Sequence, residues 1–492
     1  MISIPTFFTF LIYFSLLLGT GIFFYKRTQN IGDYILGGRG LGKWITAFSA
    51  QASDMSGWLL MGLPGAIYFD GIPAVLIAIG LFVGTLFNWK LISQRLRIYS
   101  AKTDSLTLSS FFEDRFRDPT GLLRIISAII TLIFFTIYAS SGFVAAGKLF
   151  ESIFHIDYRV AASIGAFIIV LYTFLGGFLA VSWTDFFQGL LMVIAIIIVS
   201  AVAYNSVDGF NGIRRAMISE GQSVNIIPGS NFSLLTTIST LAWGLGYFGQ
   251  PHILARFMSI KSSKELPQSM KIAIIWVFIS LTGAVFIGFL SIPMFQGLSG
   301  GDQEKVFIYM INCMFNPWIG GIMLAAILSA IMSTIDSQLL VCSSALTEDF
   351  YEKIIKKDAT QRELVFIGRL CVVVISLIAL SLALNPNYTI LRLVAYAWGG
   401  FGAAFGPLIL YALFSKRTTW LSALSGMIIG TITLILWKEI GLGEKLYEIV
   451  PGFFANALTI YLINHISPAK DREIIQEFID VEASLRGRAE DR

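Results

Sequence analysis

The chain has 492 residues, 55% of them hydrophobic and only 13% charged, with a mean hydropathy of +0.75. Soluble domains carry about 25% charged residues, so this composition excludes an ordinary water-soluble globule and reads as a polytopic membrane protein. The formal net charge of +4 does not point to nucleic acid, because the Lys and Arg residues sit in short loops between apolar runs.

Thirteen apolar runs of helical length are predicted, each needing about 20 residues to cross a bilayer. They fall near 5–25, 44–66, 71–92, 122–150, 159–179, 185–205, 231–255, 271–295, 316–346, 364–385, 389–415, 419–437 and 446–465. The first run has no basic residue before it and Lys26 and Arg27 directly after it. It reads as an uncleaved span with its N-terminal end outside. Inside loops then hold Arg39 and Lys43, the basic residues from Lys90 to Arg124, Arg256 to Lys271, Lys353 to Arg369, and Lys416 with Arg417. Arg214, Arg215, Lys438 and Lys445 are the exceptions on outside loops. The expected organisation is one transmembrane domain, 1–466, with a polar cytoplasmic tail at 467–492.

The second span carries an ionisable residue at its centre, in Ala52-Ser53-Asp54-Met55-Ser56-Gly57-Trp58, with Gly62, Pro64 and Gly65 close behind. A carboxylate at mid-bilayer costs roughly 2.5–3.5 kcal/mol on insertion scales. Gly and Pro weaken the helix and free main-chain carbonyls, which can replace an ion's water shell. The seventh span contains Trp243-Gly244-Leu245-Gly246-Tyr247-Phe248-Gly249-Gln250-Pro251, again breakable. Its Trp243, Tyr247 and Pro251 share one face if the segment is α-helical. Two interrupted spans, five apart, point to an inverted-repeat transporter, with repeats at about 44–205 and 231–415. The ninth span holds Ser333, Thr334 and Asp336. Such hydroxyls usually bond back to the preceding turn, although as oxygen donors they suit a hard cation.

Other features have plainer readings. Tyr138 is an aromatic whose hydroxyl finds a neighbour. Asp185 reads as an N-cap or dipole partner for the sixth span, and His252 as a hydrogen-bonded structural histidine. Gly37 to Lys43 is glycine-rich but follows no strand and ends on Trp44, which excludes a phosphate loop; Arg39 reads as an inside gate or anchor. Cys313, Cys342 and Cys371 form no C-x-x-C pair, and the three histidines are far apart.

Several stretches together resemble the sodium/solute symporter family, and within it the proline branch. They are Asp33 to Arg39, Ala52 to Ala66, Gly176 to Asp185, Trp243 to Met258, Asn316-Pro317-Trp318, Ser333-Thr334, Ala395 to Trp398 and Phe401 to Pro407. The resemblance implies an all-α membrane protein with a leucine-transporter-like five-plus-five inverted repeat, and no enzyme activity. It implies a sodium site at Ala52, Asp54, Met55, Ala330, Ser333 and Thr334. It implies a substrate pocket drawing on Ser56, Gly57, Trp58, Tyr138, Trp243, Tyr247 and Pro251. The expected activity is L-proline import by Na+ symport in the inner (plasma) membrane, with Na+ as coupling ion, no other cofactor and no obligate protein partner. A carrier of another small solute, such as pantothenate or a sugar, is the alternative within the fold, and a passive channel the alternative outside it. Gln51 and Asp336 depart from the family pattern, which has a small residue and a neutral one there.

Overall fold

The computed structural model describes residues 4–25, 30–222, 234–467 and 471–486. Lys26, Arg27, the first residues of the predicted 231–255 span, and parts of the 206–230 loop and the 467–492 tail lie outside the described residues. Those described form an all-helical structure without β-strands, apart from one isolated parallel bridge between Leu41 and Ile260.

The helices are α1 (Ile4–Tyr25), α2 (Ile31–Leu36), α3 (Lys43–Ala52), α4 (Leu63–Asp70), α5 (Ile72–Phe87), α6 (Ser93–Lys102) and α7 (Leu108–Phe116). Then come α8 (Leu122–Phe154), α9 (Tyr158–Ser206), α10 (Gly209–Ser219), α11 (Leu234–Leu241), α12 (Pro251–Ser259) and α13 (Leu266–Ser291). The remainder are α14 (Val306–Met314), α15 (Pro317–Ser344), α16 (Gln361–Ala383), α17 (Ile390–Phe414), α18 (Trp420–Glu439), α19 (Ile449–Ile466) and α20 (Arg472–Arg486).

Ten helices among the described residues are long and apolar enough to cross a membrane, and Tyr158–Phe174 is a shorter apolar segment. The spans predicted at 44–66 and 231–255 are each cut into pieces, so length and hydropathy alone do not return thirteen. Local chemistry sets the helix starts. The Asn316 side chain accepts from the N–H groups of Trp318 and Ile319, and Pro317 opens α15 where no N–H is needed. Thr419 and Ser422 form a reciprocal capping pair at the start of α18.

Burial separates a centre from a periphery. The most apolar stretches of α15 and α17 are 83% and 78% buried, against 39% for those of α16 and α18. Phe366, Leu370, Val374, Leu377 and Ile378 on α16 form an exposed apolar stripe suited to lipid. Both interrupted spans lie beside the two central helices. Close approach is bought by glycine: a Cβ on Gly84 of α5 would come within 2.3 Å of the Gly244 carbonyl oxygen.

Two boundaries differ from expectation. The predicted 159–179 and 185–205 spans are two helices that meet at a kink within α9 at Gly177 (φ 68°, ψ −179°), a conformation open to glycine, so their junction falls a few residues earlier than expected. Asp185 is therefore inside a helix and is not an N-cap. Arg256, expected in an inside loop, is fully buried in α12.

Candidate ion and substrate site

α3 ends at Ala52, and the chain turns through Ser53 to Ser56 before a wide turn over Trp58–Gly62 leads into α4. The main-chain N–H groups of Asp54 and Met55 both return to the Gln51 carbonyl, at 3.2 and 2.9 Å. Later carbonyls thus lose their helical partners. The Asp54 carbonyl is met by donors: Ser56 N at 3.0 Å, the Trp58 indole N–H at 2.9 Å and the Tyr138 hydroxyl at 3.4 Å. The Ala52 carbonyl is met by hydroxyls from α15, Ser333 Oγ at 2.7 Å and Thr334 Oγ1 at 3.3 Å. Ser333 also donates to the Ala330 carbonyl at 3.2 Å. The predicted pair of hydroxyls and the break in the second span therefore meet, and Ala330 joins them. A hydroxyl donates one proton but keeps lone pairs, so it can rotate from capping a carbonyl to binding a cation beside it.

The Asp54 side chain is fully buried. Its Oδ2 accepts from the Tyr247 hydroxyl at 2.6 Å, and Oδ1 has no hydrogen-bond partner among the described residues. A buried carboxylate with so few donors is electrostatically incomplete.

Tyr247 comes from the second interruption, residues 242–249, which wind as a 3₁₀ helix between α11 and α12. Three residues per turn, in place of 3.6, rotate Trp243 and Tyr247 off the common face expected from α-helical spacing. The Tyr247 hydroxyl faces Asp54, whereas the Trp243 ring lies 5.5 Å from that of Tyr447. Trp58, Tyr138, Trp243 and Tyr247 are all buried. Ser56 Oγ accepts from Trp58 N at 3.3 Å, and Gly57 lies against Ala145 of α8 and Ile331 of α15. Pro251 and Arg256 line a cavity of about 30 Å³, which extends toward Ile35, Leu106 and Thr107. That volume holds a water molecule or two.

A second buried polar cluster was not legible beforehand. Arg256 donates to Ser49 Oγ (3.1 Å), the His252 carbonyl (3.0 Å), Ser337 Oγ (2.5 Å) and Asp185 Oδ2 (3.4 Å). Ser49 also donates to Asp185, at 2.7 Å. One guanidinium thus ties α12 to α3, α9 and α15. The signal was present: an arginine within Ile253 to Met258 is an intramembrane charge, and Asp185 is its partner. The expected hydrogen-bonded His252 is corrected. Neither ring nitrogen has a hydrogen-bond partner among the described residues, and the ring sits edge-on to Phe135 and Tyr138. Asp336 accepts from Thr173, while the Gln51 amide group is buried with neither atom paired among the described residues. Arg39 donates to the carbonyls of Met258, Ser100 and Ser105 at 2.8–3.1 Å, so it joins α12 to the α6 end.

Two interrupted helices facing two continuous ones, with a buried carboxylate and convergent oxygens at the break, define a helical membrane transporter of the discontinuous-span type. Solved structures agree in fold. A Na+-coupled sialic acid symporter in a substrate-bound, outward-open state matches 95% of this chain and 99% of its own, with a TM-score of 0.79 at 20% identity. MhsT in complex with L-phenylalanine matches 86% and 97%, with a TM-score of 0.54 at 15% identity. In sequence, the sodium/proline symporter of Escherichia coli (strain K12) is 47% identical over 491 residues, 98% of this chain and 97% of that one. The high-affinity proline transporter PutP of Bacillus subtilis (strain 168) is 47% identical over 473 residues, 94% and 99%. Residues 34–430 match the sodium:solute symporter family, and the chain belongs to that family.

Proposed function

We propose that this protein imports L-proline by Na+ symport, through alternating access. The observation that carries the reading is a continuous polar line. Ser333 and Thr334 reach the Ala52 carbonyl at the first break, and two residues on Asp54 holds Tyr247 of the second.

In this mechanism Na+ enters between α3 and α15 and takes oxygens from Ala52, Met55, Ala330, Ser333 and Thr334, with Asp54 supplying compensating charge. The ion braces the broken second span against α15. Bracing fixes Asp54, and through it Tyr247, so the proline site is completed only when the ion is present. Coupling of this kind is reciprocal: Na+ improves proline binding by the factor by which proline improves Na+ binding. Trp58, Tyr138, Trp243, Tyr247 and Pro251 offer apolar and aromatic surface to the pyrrolidine ring, and main-chain groups around Ser56 and Gly57 meet the amino-acid head group. The repeats at about 44–205 and 231–415 rock against each other around this point. The protein sits in the plasma membrane with its N-terminus outside and its tail in the cytoplasm, consistent with the basic residues at the α6–α7 end.

The driving force is sufficient at one Na+ per proline. One charge crossing about 100 mV yields about 2.3 kcal/mol, and a roughly tenfold Na+ gradient adds about 1.4 kcal/mol. Their sum sustains a proline gradient of about 500-fold.

Radiolabelled proline uptake into proteoliposomes tests this directly. An inward Na+ gradient should drive accumulation above equilibrium, and replacing Na+ with K+ should stop it. Uptake indifferent to the gradient would remove symport from the account. Competition by a sugar or pantothenate, with none by excess unlabelled proline, would replace the solute.

A further inference from the structure

We propose that Trp398 is a positioning residue for the substrate side of the site: its indole N–H holds residues 242–249 in the geometry that presents Trp243 and Tyr247. The inference rests on reading that segment as part of the proline site.

A 3₁₀ segment inside a membrane protein has weaker internal hydrogen bonds than an α-helix and needs outside support. Trp398 supplies it from α17. The side chain is buried, and Nε1 donates to the Trp243 carbonyl at 2.7 Å. Its ring stands edge-on to Tyr247, with centroids 4.9 Å apart and planes at 86°. A Cβ on Gly246 would lie 2.0 Å from the indole nitrogen, so the indole fills the space that any larger residue there would need. The Gln250 amide closes the ring of contacts, donating to the Gly246 carbonyl at 3.1 Å and the Trp398 carbonyl at 3.3 Å. One side chain therefore touches three successive features of the break: the carbonyl of Trp243, the bare face of Gly246 and the ring of Tyr247. Tyr247 in turn donates to Asp54. Indole N–H is a donor only, so this contact cannot be converted into a cation ligand; it sets shape. Without it, the Trp243 carbonyl loses a buried side-chain donor, and the 3₁₀ segment loses the contact that ties it to α17.

The test compares wild type with Trp398→Phe and with Trp398→benzothienylalanine, the isostere that replaces the N–H by sulfur and keeps the ring shape. Proline uptake should show a KM for proline raised about 10-fold in both, with the maximal rate changed less than about threefold and protein abundance in the membrane near wild type. Hydrogen exchange of the purified protein supplies a readout independent of transport. Amides of residues 242–249 should exchange roughly 10-fold faster in both variants, while those of 330–334 stay unchanged. An unchanged KM and unchanged exchange in the isostere, with protein present at wild-type levels, would overturn the assignment. If wild type moves no proline, the transport reading falls, and the exchange comparison still decides whether Trp398 holds the break.

Discussion

The two interrupted spans solve the same problem with different chemistry. At Ala52 the freed carbonyl is capped by the hydroxyls of Ser333 and Thr334. At Trp243 and Gly246, inside a 3₁₀ segment, the carbonyls take side-chain donors, the N–H groups of Trp398 and Gln250. Hydroxyls can exchange donation for acceptance, whereas indole and amide N–H groups only donate. The first break can therefore receive a cation without leaving its carbonyl stranded. The second can only be held or released. A break with reversible caps suits an ion, and a break with fixed caps and aromatic walls suits a compact, partly apolar solute.

The largest expected effect comes from removing the charge at the first break. Asp54→Asn keeps an acceptor for Tyr247 but loses the negative charge, and Na+-driven uptake should fall by at least 100-fold with the protein still inserted. Sodium-driven uptake at the wild-type rate would erase the distinction between the two breaks. Arg256→Met comes next, because it leaves Asp185 as a buried charge without its counter-ion. Loss of one partner of such a pair destabilises by about 3–5 kcal/mol, which thermal unfolding in detergent would register. Adding Asp185→Leu should restore part of that loss, since an apolar pair is often neutral. Reversing the caps is milder. Ser333→Ala should raise the Na+ concentration for half-maximal uptake about 10-fold, worth about 1.4 kcal/mol, and Thr334→Ala less, in line with its longer 3.3 Å contact. Equal sensitivity to Na+ in wild type and in a variant carrying both Ser333→Ala and Thr334→Ala would assign these hydroxyls to helix back-bonding alone.

The smallest effect lies at the far end of the molecule. Acidic residues of α20 meet Arg95, Lys102 and Arg117 through Glu482, Asp480, Glu473 and Glu477. Pairs at a wet surface of this kind contribute little to stability and weaken with salt. Lys102 beside Asp480 holds its carboxyl below the usual carboxylate range, with Gln476 adding to the effect. This contribution is thus present above the ordinary Asp range and is lost as pH falls through the lowered value. A spin label on Ile479→Cys, an exposed position of α20, should gain mobility at high salt and at low pH, with uptake by the two-break site little changed.

Hydropathy and glycine made much of this readable. The long helices and the breaks near Asp54 and Gly246 follow from residue types at known spacing, whereas the meeting of α15 with the first break is implied only by the family resemblance, because Ser333 and Thr334 by themselves read as helix back-bonding. Other features leave little trace in a sequence. Ala52 and Ala330 bring their main-chain carbonyls to the site, and nothing about alanine announces that. Trp398 reads as one more core aromatic, because its partner is a backbone oxygen 155 positions away. Arg256 lies close to the basic residues Lys261 and Lys264, so counting charges by loop swept it in with them. The kink of α9 falls at Gly177, a few residues before the expected connection, because one glycine of the Gly176–Gly177 pair adopts a positive φ, and the apolar residues on both sides blur where the first helix stops. Trp243 and Tyr247 part company because the segment is 3₁₀, a pitch that side-chain periodicity alone does not reveal.

The central claim is that an ion at the first break readies the second. Equilibrium binding of labelled proline to purified protein, titrated with Na+ at constant ionic strength, measures it most directly. Affinity for proline should rise steadily with Na+ in wild type and stay flat in Asp54→Asn. Equal proline affinity in Na+ and in K+ would contradict the account.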